Sequence, residues 1–263
     1  MPEAAAYVSA DYLRKVAGQM RAIKVRTHDL LRLAPGHSVL DVGCGPGTDT
    51  VALARRVGTG GRVVGLDIDE AMLADAENAA QEAEVSDRIE HVCGDVRKLP
   101  FADDVFDACR AERLLQVLAG CDPEQVTAEM ARVLRPGGRL LLADTDWYSA
   151  SVDFSDLELE RRLMGFFATT MRPNGAAGRQ LSRLLKLAGC TAIELEVFAH
   201  TMLDFSETPF GDWLRREAVG AAVATEPEMD RWQSELQTRT QEGTFFGQVA
   251  YVVAVGVLGG QEP

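Results

Sequence analysis

Apolar positions along the chain recur first at helical and then at strand spacing. Residues 9–33 carry apolar side chains three and four apart, as on one face of an amphipathic helix. Ser9 or Asp11 is placed to cap that helix, and Ala34-Pro35-Gly36 to end it. Five short apolar runs follow, at 39–42, 62–66, 88–93, 105–109 and 139–143. Helical stretches at 48–57, 70–84 and 123–134 lie between them. The runs are continuously apolar rather than alternating, which implies a parallel sheet covered on both faces and hence an α/β fold. Beyond position 150 the pattern loosens. It predicts helices at 157–170 and 178–187, a strand at 191–199, helices at 210–223 and 228–240, and a strand at 245–257. The last two strands are too far apart for a plain hairpin, so the helices between them are expected to cap the site of chemistry. No internal repeat or low-complexity linker marks a boundary, so one domain spanning 1–263 is expected. Its parts are a helical segment at 1–37, a core at 38–145, and cap insertions at 150–177 and 203–243.

Composition narrows the class. With 263 residues, 46% hydrophobic and 25% charged, the chain has ample material for a core, which excludes a disordered or disulfide-stapled protein. The net charge of −13 argues against nucleic acid or an anionic membrane as a partner, because both are bound through clustered cations. The charge is uneven: residues 1–40 carry +3, 41–150 carry −10 and 151–263 carry −6. Arg14, Lys15, Arg21, Lys24 and Arg26 read as a solvated helix face. Five scattered cysteines without a C-x-x-C pair fit reduced thiols, and no apolar run is long enough for a membrane span. A cytoplasmic protein, monomer or homodimer, is the expectation.

The candidate chemistry begins at Gly43-Cys44-Gly45-Pro46-Gly47, between a predicted strand and a predicted helix. Glycines allow a sharp turn and close approach to a ligand, and the helix N-terminus offers free N–H groups. Asp67 follows at the end of the next strand, where a carboxylate accepts both hydroxyls of a ribose. Together they indicate a cofactor containing adenosine. The spacing is G-x-G-x-G rather than the G-x-G-x-x-G of dinucleotide folds, and no Gly-Lys-Ser/Thr follows it. Asp41 enters the loop, where it can hold an ammonium group, as S-adenosylmethionine requires.

The segment from Val39 through Asp41 to Gly47 resembles the first motif of class I S-adenosylmethionine-dependent methyltransferases. Gly65-Leu66-Asp67-Ile68-Asp69-Glu70-Ala71-Met72-Leu73 resembles the second, and Gly94-Asp95-Val96-Arg97-Lys98-Leu99-Pro100-Phe101 the third. Phe106-Asp107-Ala108-Cys109-Arg110 resembles the fourth-strand motif, and Leu134-Arg135-Pro136-Gly137-Gly138-Arg139-Leu140 the turn before strand five. The chain is most similar to the subgroup of ubiquinone and menaquinone biosynthesis methyltransferases, over about half its length. The resemblance implies a Rossmann-like, seven-stranded, mostly parallel sheet flanked by helices, and methyl transfer to a small molecule of quinone, polyketide or other natural-product type, leaving S-adenosylhomocysteine. It implies that Gly43, Gly45 and Gly47 run beside the methionine part, that Asp41 holds its amino group, and that Arg110, past strand four, lies close to it. Asp67 would take the ribose, Ile68 and Met72 would flank the adenine, and Asp95 would accept its amino group with Val96 beside it.

Methyl transfer from a sulfonium asks the protein to position an acceptor and exclude water, and a base helps when the acceptor is a hydroxyl or ammonium. The crevice is expected between the glycine loop, the segment from Arg110 to Leu118 and the segment from Asp144 to Tyr148. Relatives often carry His where this chain has Val117. His28, His37, His91 and His200 read as structural or solvated, His37 being at the wrong end of the sheet. Asp146 and Glu112 are the candidate bases, and Gln116, Trp147, Tyr148 and Arg172 the candidate acceptor contacts. Asn174 and Arg179, near Arg172, are read either as further polar contacts or as parts of a turn. No metal is expected, because Arg110 rather than an acid ends the fourth predicted strand. The other reading is a protein of this fold that binds S-adenosylmethionine without transferring methyl, as a pericyclase-like catalyst or binding subunit. Asp67→Ala is expected to abolish cofactor binding, since buried ribose hydroxyls would lose their acceptor. Unchanged affinity by calorimetry would refute the assignment of Asp67.

Overall fold

A computed structural model describes residues 10–259, apart from a few side chains of the first helix. Seven strands form one sheet in the order β3-β2-β1-β4-β5-β7-β6. They are β1 (Ser38–Val42), β2 (Arg62–Asp67), β3 (Ile89–Cys93), β4 (Phe106–Glu112), β5 (Leu134–Val152), β6 (Cys190–Met202) and β7 (Gly247–Leu258). β1 to β5 pair in parallel, and β7 runs antiparallel to both β5 and β6. The mostly parallel seven-stranded architecture is therefore the one expected. Strand order reverses between β1 and β4, which opens a crevice at their carboxyl ends.

Helices α1 (Ala10–Gln19), α2 (Arg21–Leu30), α3 (Thr48–Val57), α4 (Glu70–Glu82), α5 (Pro123–Arg132), α6 (Leu157–Thr170), α7 (Ala177–Leu187), α8 (Asp212–Gly220) and α9 (Glu226–Gln241) surround the sheet. α5 and α7 pack on one face through Val126, Met130, Leu181, Leu184 and Leu185. α2 and α3 cover the other face through Leu30, Leu53, Ala54 and Val57. A third core joins the extended ends of β5 and β7 to α6, α8 and α9, centred on Phe154, Phe167, Phe210 and Trp232. Trp232 is fully buried, and its Nε1 donates to the Phe210 carbonyl at 3.0 Å, so the polar end of that indole is satisfied.

Several boundaries differ from the sequence reading. The first helix is two helices that break at Met20, whose side chain turns into the core at 3% exposure. Ser9, one candidate cap, lies outside the described residues, as does the side chain of Asp11, the other. The basic face is not uniformly solvated, because Lys24 is buried in an ion-pair cluster. β4 runs on to Glu112, so an acid does end it, and Arg110 lies within the strand rather than past it. β5 runs on to Val152, so the segment from Asp144 to Tyr148 is strand, not loop. The reason is the partner: β7 pairs with Thr145 and Asp146, then again with Ser151 and Val152 after a bulge. β6 likewise extends to Met202 and takes in His200.

Gly47 shows how tightly the site's frame is packed. It stands at φ +77°, and a Cβ there would lie 2.8 Å from the Cβ of Ala76 on α4. Gly47→Ala is expected to destabilise the protein by about 1–3 kcal/mol through overpacking and strain. Gly243→Ala is the control, since Gly243 also has positive φ but meets nothing within 4 Å. Urea unfolding that ranks Gly243→Ala as the more damaging change would contradict this account.

Candidate active site

The carboxyl ends of β1, β2 and β3 bring together the residues expected to hold a cofactor. Asp41 lies within the buried run of β1, which Val42 ends, and the glycine loop leads from β1 into α3. Gly43 is at φ +72°, with Leu114 close above it, so a side chain there would be strained. Asp67 ties this loop to the next one. Its Oδ2 accepts from the Gly45 amide at 2.9 Å and its Oδ1 from the Asp69 amide at 3.1 Å. Ile68 is 70% exposed beside it, and Met72 is half-buried at the start of α4. Asp95 accepts from the Arg97 amide at 2.9 Å and pairs with the Arg97 guanidinium, which lowers its pKa. Val96 is buried in the core beneath.

Below the loop lies a buried cluster of charges. Arg110 of β4 stands opposite Asp41 of β1 in register, and its Nη1 reaches Asp41 at 2.9 Å and Asp49 at 3.2 Å. Its Nη2 pairs with Glu112. Lys24 of α2 bridges Asp49 and Glu112 at 2.6 Å each. His28, one turn on, bonds Asp49 at 2.8 Å, and burial lowers its pKa, so it sits there neutral. Arg110 is 1% exposed, so its desolvation has to be offset by these partners. Asp49 is held well below the usual carboxylate range by Arg110 and Lys24 despite its burial. Burial instead raises Asp41 to about 7, against the pull of Arg110. With Asp41 ionised, three carboxylates face two cations and a neutral imidazole, and the cluster carries one negative charge more than it neutralises. The Asp41 Oδ2 atom is buried and has no hydrogen-bond partner. An ammonium group fits there, while the amides of the loop above are engaged by the Leu66 and Cys44 carbonyls and by Asp67.

The two acids expected to act as bases are both engaged. Glu112 gives one oxygen to Lys24 and the other to Arg110. Asp146, on β5, receives Arg179 Nε at 3.0 and 2.9 Å. Arg179 in turn stacks over Tyr148, which is 49% exposed. Gln116 is buried, and its side-chain oxygen accepts from the Trp147 indole at 2.5 Å. Its carbonyl accepts from the Asn174 amide at 3.2 Å, which ties the segment after β4 to the cap. Arg172 lies among the rings of Trp147, Phe167 and Trp213, at 4.7, 4.9 and 5.3 Å from their centroids. Val117 is 46% exposed on the same segment after β4.

Sequence reasoning missed Asp49, Asp144 and the cluster roles of Lys24 and His28. Lys24 and His28 are four apart on one helix and so share a face, and Asp49 is the second residue of the helix after the glycine loop. Those spacings were a usable signal. Asp144 is fully buried and raised to about 7 by burial, while accepting from the amides of Gln116 and Thr145 at 3.1 and 2.8 Å. It had no signal of its own, since it closes an apolar run. Among the described residues no group of three or more His, Cys, Asp or Glu is placed to hold a metal, even with Glu112 ending β4.

Residues 39–138 match the family described as "Methyltransferase domain". An uncharacterised 37.1 kDa protein in a Streptomyces fradiae transposon is 37% identical over 238 residues, which cover 89% of this chain and 66% of that protein. A demethylmenaquinone methyltransferase of Bacillus mycoides is 35% identical over 125 residues, 48% of this chain and 52% of that enzyme. The chain thus spans from about half to just under two-thirds of these relatives' lengths. The crystal structure of a Bacillus halodurans protein superposes with a TM-score of 0.64 at 22% identity, covering 90% of this chain and 99% of that one.

Arg110→Met would leave three carboxylates buried around one lysine. It is expected to cost about 3–5 kcal/mol in urea unfolding, as for breaking a buried ion pair from one side. A loss below about 1 kcal/mol would mean that the cluster is solvated rather than buried.

Proposed function

We propose that the chain, whose residues 39–138 match a methyltransferase domain, transfers a methyl group from S-adenosylmethionine to a small organic acceptor. The observation that carries this reading is the buried, unpartnered Asp41 Oδ2 in a cluster with one surplus negative charge, directly beneath the glycine loop. That is the complement of an amino acid's ammonium end, and a dinucleotide has no use for it. Asp67 is placed for the ribose, Ile68 and Met72 for the adenine faces, and Asp95 with Val96 for its edge. When bound, the cofactor would supply a methyl group on a positively charged sulfur.

The chain's own residues have simpler tasks. Arg110 holds Asp41 and Glu112 in place rather than meeting the methionine part itself, because it is enclosed by carboxylates. α2 closes the site over Lys24 and excludes water. Gln116, Trp147, Tyr148 and Arg172 are proposed to form the acceptor wall. A base role for Glu112 or Asp146 needs an ion pair to open first, which favours an acceptor that is already nucleophilic or weakly acidic. The net charge of −13 weighs against a nucleic-acid acceptor. The five cysteines, all free, support a reducing compartment such as the cytoplasm. No helix among the described residues is long and apolar enough to cross a membrane.

The direct test incubates the protein with methyl-labelled S-adenosylmethionine and a panel of phenols, quinols and amines. Labelled product is expected, and tight cofactor binding without any transfer would overturn the reading. The cluster adds a second test. An ammonium beside Asp41 favours the carboxylate form, so binding lowers a pKa that stands at about 7 in the free protein. Affinity is therefore expected to rise as pH climbs from 6 to 8, with proton release near neutrality, and then to level. Calorimetry in buffers of different ionisation enthalpy measures the proton, and Asp41→Asn should remove both effects.

A further inference from the structure

Tyr251 carries a feature that packing does not explain. It lies in the middle of β7, 1% exposed, and its hydroxyl is buried without a hydrogen-bond partner. A phenol contributes as much apolar area as a phenylalanine ring, so the hydroxyl adds only an unmet desolvation cost. Strand register locates it. Arg110 is level with Leu141 and Val255, Glu112 with Ala143 and Val253, and Tyr251 with Thr145 and Phe198. All of these side chains share the sheet face beneath α2. Tyr251 is thus one rung, about 7 Å, beyond Glu112 toward the carboxyl ends where the crevice opens. Glu112 and Arg113 line the cavity behind the glycine loop. Arg113 holds φ +55°, a sparsely populated conformation for a residue with a side chain, at the turn where β4 leaves the sheet. The charged groups that act electrostatically on the Tyr251 hydroxyl are Glu112, Arg113, Asp144 and Arg110, from β4, β5 and the turn after β4.

Building on the methyl-transfer reading, we propose that the Tyr251 hydroxyl binds the acceptor, donating a hydrogen bond to an oxygen or nitrogen next to the atom that receives the methyl group. The acceptor is then a largely apolar molecule with a polar atom at its reacting end. Its polar atom enters between Tyr251 and the cofactor cavity lined by Glu112 and Arg113. Burial, with Glu112 and Asp144 nearby, holds the phenol well above its ordinary range. It is therefore a neutral donor throughout the physiological range and not a base. The partner that its hydroxyl lacks among the protein groups is supplied by the acceptor.

The test uses the full chain and Tyr251→Phe, a change that keeps the ring and removes only the oxygen. Without acceptor, the variant should melt at the same temperature as wild type or higher, and bind S-adenosylmethionine with unchanged affinity. The probes are a panel of naphthols, hydroquinones and anilines, added to the S-adenosylhomocysteine complex for binding and to the S-adenosylmethionine complex for transfer. Wild type is expected to bind and methylate members of the panel, and the variant to lose about ten- to a hundredfold in binding or in kcat/KM. Equal performance of the two proteins overturns the inference, as does a variant that melts lower, because its hydroxyl would then have a protein partner. Failure of every probe to bind wild type also overturns it. Loss of S-adenosylmethionine binding by wild type would instead overturn the methyl-transfer reading itself.

Discussion

One guanidinium organises this molecule. Arg110 is buried in the middle of the sheet, where an uncompensated charge would cost several kcal/mol, a large share of a typical domain's stability margin. Its presence obliges Asp41, Asp49 and Glu112 to converge from β1, α3 and β4. Three carboxylates around one arginine are themselves unbalanced, which obliges α2 to deliver Lys24. The position of the first helices, the extension of β4 and the start of α3 all follow from that chain of compensation. When Asp41 is ionised one negative charge is left uncompensated, at its unpartnered Oδ2. A ligand with a cationic end completes the cluster, so binding and local stability are two views of the same balance.

The cofactor side was legible because its requirements are local. A strand, a glycine turn and a helix N-terminus occupy consecutive positions, and Asp67 falls where the next parallel strand must end. The backbone then brings Gly45 and Asp67 together without help from distant residues. The charge cluster was less legible because its members are spread over residues 24–112, and pairing between them is decided by sheet register. Reading Lys24 as solvated followed the usual behaviour of lysine. What overrode that tendency is the pair of carboxylates waiting beneath it. Arg110 was recognised, but a charged residue after an apolar run reads as the end of a strand, so β4 was cut short and Glu112 placed in a loop.

The acceptor side was the least legible, and for a physical reason. β5 continues past Ala143 because β7 returns to pair with it, which no local pattern announces. That pairing converts the segment from Asp144 to Tyr148 into strand and sends alternate side chains to opposite faces. Trp147 is drawn into the cap core against Phe167 and Phe210, while Tyr148 turns outward under Arg179. Helices in these segments were foreseen, but the cluster that fixes them on β5 depends on a strand length that the sequence leaves open.

The uneven charge along the chain acquires a cause from the same geometry. The basic residues from Arg14 to Arg32 meet acidic partners. Arg14 meets Asp75 of α4, Arg26 meets Glu196 and Arg32 meets Glu194 on β6, while Lys24 descends to Asp49 and Glu112. The exposed pairs contribute little each and weaken with salt. The buried one does not weaken in the same way, because solvent is excluded from it. α2 is therefore held by one strong interior contact at the site and several weak ones around its rim. This arrangement fixes the helix in register over the charge cluster while leaving its periphery inexpensive to loosen. α2 is thus anchored by the same carboxylates, Asp49 and Glu112, that position Arg110.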